Sequence, residues 1–226
     1  EDNTETIEFL EQNIFPKIHN GNTILFLGAG FSVTDKKKYL GSEIISYYQE
    51  KLQVNLDTND LVEFLDRAST LEKFNRYEFD QYIKSILVKI KPERFHKVIA
   101  GLDWRQIITT NLDLILENAY DDIKGTTEEH KEILPVRNIN EYNLGVSNDQ
   151  IKYVKLNGCI SNISKYNFVF SSDDFTKSKK FYNTVLKNLN NLSTNVNFLS
   201  IGYSFTDGLA KQLLETMRKD NIQKEK

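Results

Sequence analysis

A chain of 226 residues with 39% hydrophobic and 12% aromatic content is long enough to bury one well-formed core, or a domain with an insertion. Its 29 Lys and Arg against 32 Asp and Glu leave a net charge of -3, which gives no electrostatic case for nucleic acid or an anionic membrane as a direct partner. The single cysteine, Cys159, excludes an internal disulfide framework and a four-cysteine zinc site built from this chain alone. No run approaches the ~20 apolar residues of a membrane helix and the acidic start is unlike a signal peptide, so a reducing, cytoplasmic setting is expected. Residue 1 is Glu and the one methionine is Met217, so the chain is expected to be part of a longer protein.

Residues 4–15 carry Ile7, Phe9, Leu10, Ile14 and Phe15 at helical spacing, and Pro16 is expected to end or kink that helix before the turn Asn20-Gly21-Asn22. Thr23-Ile24-Leu25-Phe26-Leu27 then reads as a strand buried on both faces of a parallel sheet. It breaks at Gly28-Ala29-Gly30-Phe31-Ser32, where small residues allow a tight turn and close approach of backbone to a phosphate; a bound dinucleotide and a ligand-free βα turn both fit. Lys36-Lys37-Lys38 reads as a solvated loop. Residues 41–90 are helical in pattern throughout, with Ile44, Ile45, Tyr48 and Leu52, then Leu61, Phe64, Leu65 and Ala68, then Phe79, Tyr82, Ile83, Ile86 and Leu87. That exceeds one crossover helix, so residues 41–100 are expected to form a helical insertion, either a lid over the sheet edge or structural bulk.

A short helix follows Pro92 through Phe95, His96, Val98 and Ile99. Residues 104–110 hold a second strand centred on Ile107 and Ile108, ending in Thr110-Asn111. Residues 111–118 are expected to restart a helix, with Leu112, Ile115, Leu116 and Ala119 on one face and Asp113 in its first turn. Within the polar stretch 125–148, residues 133–136 read as an edge strand, because Pro135 cannot donate to a central ladder. Residues 151–156 form a strand ending at Asn157-Gly158, and 167–171 a further short strand. Ser172-Asp173-Asp174-Phe175 opens a helix through Phe181, Val185 and Leu189, and the Asn-rich residues 187–197 read as a surface connection. Residues 197–201 are the last strand, breaking at Gly202-Tyr203-Ser204, and residues 209–217 a closing helix. The order predicts an α/β fold, a Rossmann-like parallel sheet with flanking helices and an inserted helical subdomain. Four strands end in small or polar turns, which an open parallel sheet would bring to one crevice outside its carboxyl edge.

Gly-Ala-Gly-x-Ser near the start, Thr109-Thr110-Asn111-Leu112-Asp113 in the middle, the acidic segment 170–175 and Ile201-Gly202-Tyr203-Ser204-Phe205-Thr206-Asp207 near the end occur in one order over nearly the whole chain. Together they resemble the sirtuin-like NAD-consuming domain of prokaryotic antiphage defence proteins. The resemblance implies a single sirtuin-like Rossmann domain over residues 1–226, taking NAD as substrate or ligand. Protein-deacylating sirtuins hold a structural zinc through four cysteines; with Cys159 alone, no zinc is expected, and the implied reaction shifts from deacylation to cleavage of NAD into nicotinamide and ADP-ribose. A homo-oligomer, or a further domain or partner protein of a defence system, is implied as well. The alternative is a non-catalytic module sensing NAD or an ADP-ribose-type ligand.

One departure is sharp: where the family has histidine in Leu-His-Gly, this chain has Leu156-Asn157-Gly158. An imidazole can take a proton near neutral pH, whereas an amide can hydrogen-bond but cannot act as a base. Three readings of Asn157 stand: an engineered substitution that preserves ligand, a natural variant hydrolysing NAD through Asn111 and positioned water, or a natural loss of catalysis. None of His19, His96 and His130 falls at the motif position; His130 lies in an irregular segment. The resemblance implies that Gly28, Ala29 and Gly30 turn backbone N–H groups to the pyrophosphate while Ser32 donates a hydroxyl, and that Phe31 covers the ligand or packs inward. Asn111 would position water at the anomeric carbon, with Thr110 among the binding residues. Asp113 would fix a ribose hydroxyl, orient Asn111 or serve as a helix-end charge, and Asn157 with Gly158 would contact the same ribose. Gly202, Tyr203 and Ser204 would hold the adenosine half. Asn111, Asn157 and Asp113 are thus the catalytic candidates, no metal ligand is expected, and Asp173 and Asp174 are left as helix-start acids.

Overall fold

The computed structural model describes residues 8–9, 11–34, 41–125, 131–192 and 196–203. The expected lysine loop at 36–38, His130, Ser204 and the closing helix at 209–217 lie outside them. Five strands form one parallel sheet: β1 (Thr23–Leu27), β2 (Gln106–Thr109), β3 (Glu132–Val136), β4 (Gln150–Lys155) and β5 (Asn197–Ile201), in the order β3-β4-β2-β1-β5. Every residue of β1 and β2 is buried, the polar Gln106 and Thr109 at the ends of β2 included, as strands in the middle of a parallel sheet covered on both faces are. β3 is an edge strand, with Pro135 opposite Tyr153 of β4, so its missing N–H costs no central ladder bond.

Helices cover both faces. Leu25, Leu27, Ile107 and Tyr153 point to one side, packing with Ile18 of α1 (Phe15–His19), Ala100 of α5 (Arg94–Ala100) and Ile115, Leu116 and Ala119 of α6 (Ile115–Ile123). Ile24, Phe26, Ile108 and Val154, one residue out of step, point to the other, against Tyr142 of α7 (Ile139–Tyr142) and Phe181, Tyr182, Val185 and Leu189 of α8 (Ser172–Leu192). A third core joins α2 (Gly41–Leu52), α3 (Leu61–Ala68) and α4 (Arg76–Leu87) to Leu112, Ile160 and Phe168. Leu112 follows β2 and Ile160 follows β4, so the helical stretch sits at the carboxyl edge of the sheet.

The structure settles one expectation and corrects others. Of the two outcomes expected at Pro16 the break is the one seen, since the chain turns at Ile14 and continues as a new helix. With its φ already helical and no N–H to lose, Pro16 sits in the first turn of α1, and this new start buries Ile18 while Phe9 and Phe15 stay exposed. Residues 111–114 are not helical: Asp113 Oδ1 accepts the N–H of Ile115 at 2.9 Å, so the helix begins four residues later than its pattern predicts. Residues 167–171 are not a strand either, because their backbone groups are taken by non-strand partners. Phe168 O accepts from Arg76 Nη2 at 2.8 Å, Val169 N–H donates to Asn157 O at 3.0 Å, and the N–H groups of Phe170 and Ser171 donate to Asp174 Oδ2. Asp174 is therefore more than a helix-start charge, and Arg76, which also binds it at 2.8 Å, ties α4 to the start of α8. The Asn-rich connection is shorter than expected, since α8 continues to Leu192.

Candidate functional site

Ladder register places the turns side by side. Leu27 pairs with Thr109 on one side and Ile201 on the other, and Thr109 pairs with Lys155. Asn111 and Asn157 therefore stand two residues beyond paired positions on neighbouring strands, with Gly28 and Gly202 next to them. The connection from β4 to β5 crosses to the far side of β1, so β1 and β5 flank the point where strand order reverses, the place where open α/β sheets admit ligands.

Between the β1 and β2 turns lies a hydrogen-bonded cluster. Asn111 Nδ2 donates to Gly28 O and to Ser32 Oγ, both at 2.8 Å, and Ser32 Oγ donates to Asp113 Oδ2 at 2.6 Å. The Asn111 N–H is held by Thr109 Oγ1 at 2.9 Å, which itself donates to Leu27 O at 2.9 Å. With both amide protons committed inside the cluster, Asn111 Oδ1 is the edge left to accept from a water or hydroxyl. Asp113, 4% exposed, spends Oδ1 on the start of α6 and Oδ2 on Ser32. Its helix-end role and its orienting role are the same arrangement.

The glycines have a different first purpose from the one expected. Gly28 N–H donates to Ile201 O at 3.0 Å and Gly30 N–H to Gly202 O at 2.8 Å, while Phe31 N–H closes the short 3-10 turn onto Gly28 O at 2.9 Å. The Gly28 and Gly30 donors thus lock the β1 turn to the β5 turn rather than facing a pyrophosphate. A Cβ on Gly28 would lie 2.5 Å from Gly202 O, and one on Gly202, at φ +69°, would lie 2.1 Å from Phe31 N. Phe31 packs inward, 1% exposed and edge-on to His96, with ring centroids 4.8 Å apart. Ala29 is exposed, and Thr110 and Tyr203 are half-buried at the same edge.

Asn157 is held from two sides: Tyr182 Oη donates to its Oδ1, and its carbonyl accepts from Val169 N–H at 3.0 Å. Gly158 follows at φ +96°, where a Cβ would lie 2.4 Å from Asn167 O. No described contact joins Asn157 directly to Asn111.

Several supporting residues went unread in the sequence. Lys155, fully buried at the end of β4, binds Glu117 Oε1 at 2.8 Å and the Asp113 carbonyl. Burial alone would lower its pKa; Glu117, with Cys159 and Asp113 nearby, reverses that and holds the ammonium above its usual value. A lysine inside a strand buried on both faces must be paired, which was the available signal. Tyr182 and Arg76 gave none, since each acts over a long sequence separation.

His96 is likewise structural. It is fully buried, its Nδ1 accepts Glu93 N–H at 2.9 Å, and its Nε2 therefore carries the proton donated to Phe31 O at 2.8 Å. Burial lowers its pKa below the usual 6.5 despite the bond to Phe31 O and the charges of Glu93 and Asp113. The unfolded chain thus takes up this proton at higher pH than the fold, so the contribution is complete above the unfolded value and is lost as pH falls through the folded one. We expect the thermal midpoint to drop as pH falls below about 7, and a His96→Asn variant, which keeps an acceptor near Nδ1, to lose that slope. An equal slope in the variant assigns the effect to other groups.

Clefts elsewhere, of about 530 Å³ around Arg76 and Asp174 and about 770 Å³ along Lys180 and Lys187, contain no residue of the four turns. Among the described residues no group of three or more His, Cys, Asp and Glu could hold a metal ion, and no helix is long and apolar enough to cross a membrane.

Residues 105–226, more than half of the chain, match the SIR2-like domain, and the chain belongs to that family. It is 26% identical over 220 residues to the NAD(+) hydrolase ThsA of Bacillus cereus (strain MSX-D12), an alignment that covers 94% of this chain and 43% of that protein. The chain thus spans less than half the length of this relative.

Proposed function

We propose that this chain is an NAD glycohydrolase module of a prokaryotic defence protein, a single sirtuin-like domain with its helical insertion at 41–100, whose turnover is limited by Asn157. The supporting observation is the Asn111 amide, which gives both protons to Gly28 and Ser32 and keeps one oxygen to hold a water. In the reaction the bond from nicotinamide nitrogen to the ribose anomeric carbon breaks, water adds to that carbon, and nicotinamide, ADP-ribose and one proton result. The oxocarbenium-like state needs a positioned water more than a strong nucleophile. Asn111 Oδ1 supplies the position, and the Ser32–Asp113 pair keeps Asn111 from rotating. The likeness to an NAD(+) hydrolase over 94% of the chain supports the substrate.

Gly202, Tyr203 and Ser204 are assigned to the adenosine half, Ala29 and Thr110 to the rim, and Asn157 with Gly158 to the nicotinamide ribose. A second reading, a module that binds NAD or ADP-ribose without cleaving it, is favoured by one observation: residue 157 carries no group that can take a proton. The test is to incubate NAD with this chain in its native full-length context and follow nicotinamide release alongside calorimetric binding. We expect slow release, and at least about tenfold weaker NAD binding and slower release in Asn111→Ala, which leaves Gly28 O and Ser32 without their donor. Binding without release establishes the sensing reading; neither binding nor release sinks both.

A further inference from the structure

Tyr182 lies in none of the four turns, yet it reaches one of their candidate site residues. It sits about three turns into α8, 6% exposed in the core beneath the sheet, with the Phe175 and Phe181 rings 5.9 and 6.5 Å from its own. Packing on that scale fixes the ring, and its hydroxyl donates to Asn157 Oδ1. The residue it reaches is not free to follow it. Asn157 has its carbonyl tied to Val169 N–H, and the next residue is pinned in a left-handed conformation against Asn167.

A carboxamide has one acceptor edge and one donor edge. With the oxygen turned to Tyr182, the two amide protons lie on the edge turned from that hydroxyl. Resting on the reading that NAD occupies the carboxyl edge of the sheet, we propose that Tyr182 is a positioning residue of the site. It locks Asn157 so that this residue meets the ligand as a donor, toward an acceptor such as a ribose hydroxyl oxygen. A hydrogen-bonded tether of this kind matters through residue 157 alone, which separates it from a ring that merely packs.

A double-mutant cycle on NAD affinity in the full-length protein tests this, with thermal melts run on every variant. Tyr182→Phe keeps the ring and removes only the hydroxyl. We expect it to weaken NAD binding about fivefold to tenfold with Asn157 present and to have no further effect in an Asn157→Ala background, the melts serving to show that every variant is folded at the assay temperature. Equal loss of affinity in both backgrounds, or none in either, overturns the proposal and leaves the assignment of the crevice standing. Absence of NAD binding by the wild-type protein sinks the functional reading instead. The tether itself is then read without ligand, from the Asn157 side-chain amide resonances. Dispersed, exchange-protected signals that collapse in Tyr182→Phe support it, and signals unchanged by the substitution overturn it. Should Tyr182→Phe not fold, the wild-type spectrum decides, and an undispersed, fast-exchanging Asn157 amide overturns the proposal.

Discussion

Asn157→His is expected to raise nicotinamide release by about 10²–10⁴-fold, the usual range for a positioned general base. The structure has room for the exchange in chemical terms. Imidazole Nδ1 stands as many bonds from the backbone as the Asn157 Oδ1 that Tyr182 now holds. A phenol oxygen can accept as well as donate, so Tyr182 can take an Nδ1–H and leave Nε2 unprotonated on the far side of the ring. That tautomer presents a base where the present amide presents only donors. The measurement is the nicotinamide release rate against pH for both proteins. The gain should follow deprotonation of the new imidazole, rising through pH values near its usual 6.5 and levelling above it. If release is unchanged while NAD still binds, residue 157 is not what limits turnover, and the proposed limitation is wrong.

Gly202→Ala is expected to be the most damaging small substitution in the site, costing about 3–5 kcal/mol of stability and most of the NAD affinity. Two effects combine. The residue sits at φ +69°, where a side chain costs roughly 1 kcal/mol, and its new Cβ would lie 2.1 Å from Phe31 N and 2.6 Å from Gly30 C. Both neighbours are backbone, so neither can swing aside. The β5 turn would have to retreat, breaking the 2.8 Å bond from Gly30 N–H to Gly202 O that joins the two turns. Gly125 separates the two effects, since it has φ +80° with nothing within 4 Å of an added Cβ. Gly125→Ala should lose only about 1 kcal/mol in a denaturant titration. Equal losses at the two positions would show that the β1 and β5 turns are not locked as described.

The locked turn also explains why composition alone does not report what a glycine-rich segment packs against. The small residues after β1 marked Gly28 and Gly30 as positions of close backbone approach. What presses on them is other backbone: two of the N–H groups expected to face a phosphate are spent on Ile201 and Gly202. The same applies to Asp113, where the acidic residue at a helix start was legible but its bond to Ser32, 81 residues earlier, was not.

The sequence by itself determined the elements that are dictated by local pattern. A continuous apolar run made β1 central, Pro135 sent β3 to the edge, and the spacing at 41–90 made that stretch helical. The ordered set of short motifs also identified the family to which the chain belongs. Tertiary structure alone decided where backbone hydrogen bonds go when side chains compete for them. Asp113 delays α6 to Ile115, and Arg76, Asp174 and Asn157 keep residues 167–171 out of the sheet. It also decided which way each site amide faces, because Asn111 is oriented by Ser32 and Gly28, and Asn157 by Tyr182 on another element. Periodicity reports which face of an element is apolar. The direction of a carboxamide depends on partners 25 to 83 residues away, and those come together only when the sheet is assembled.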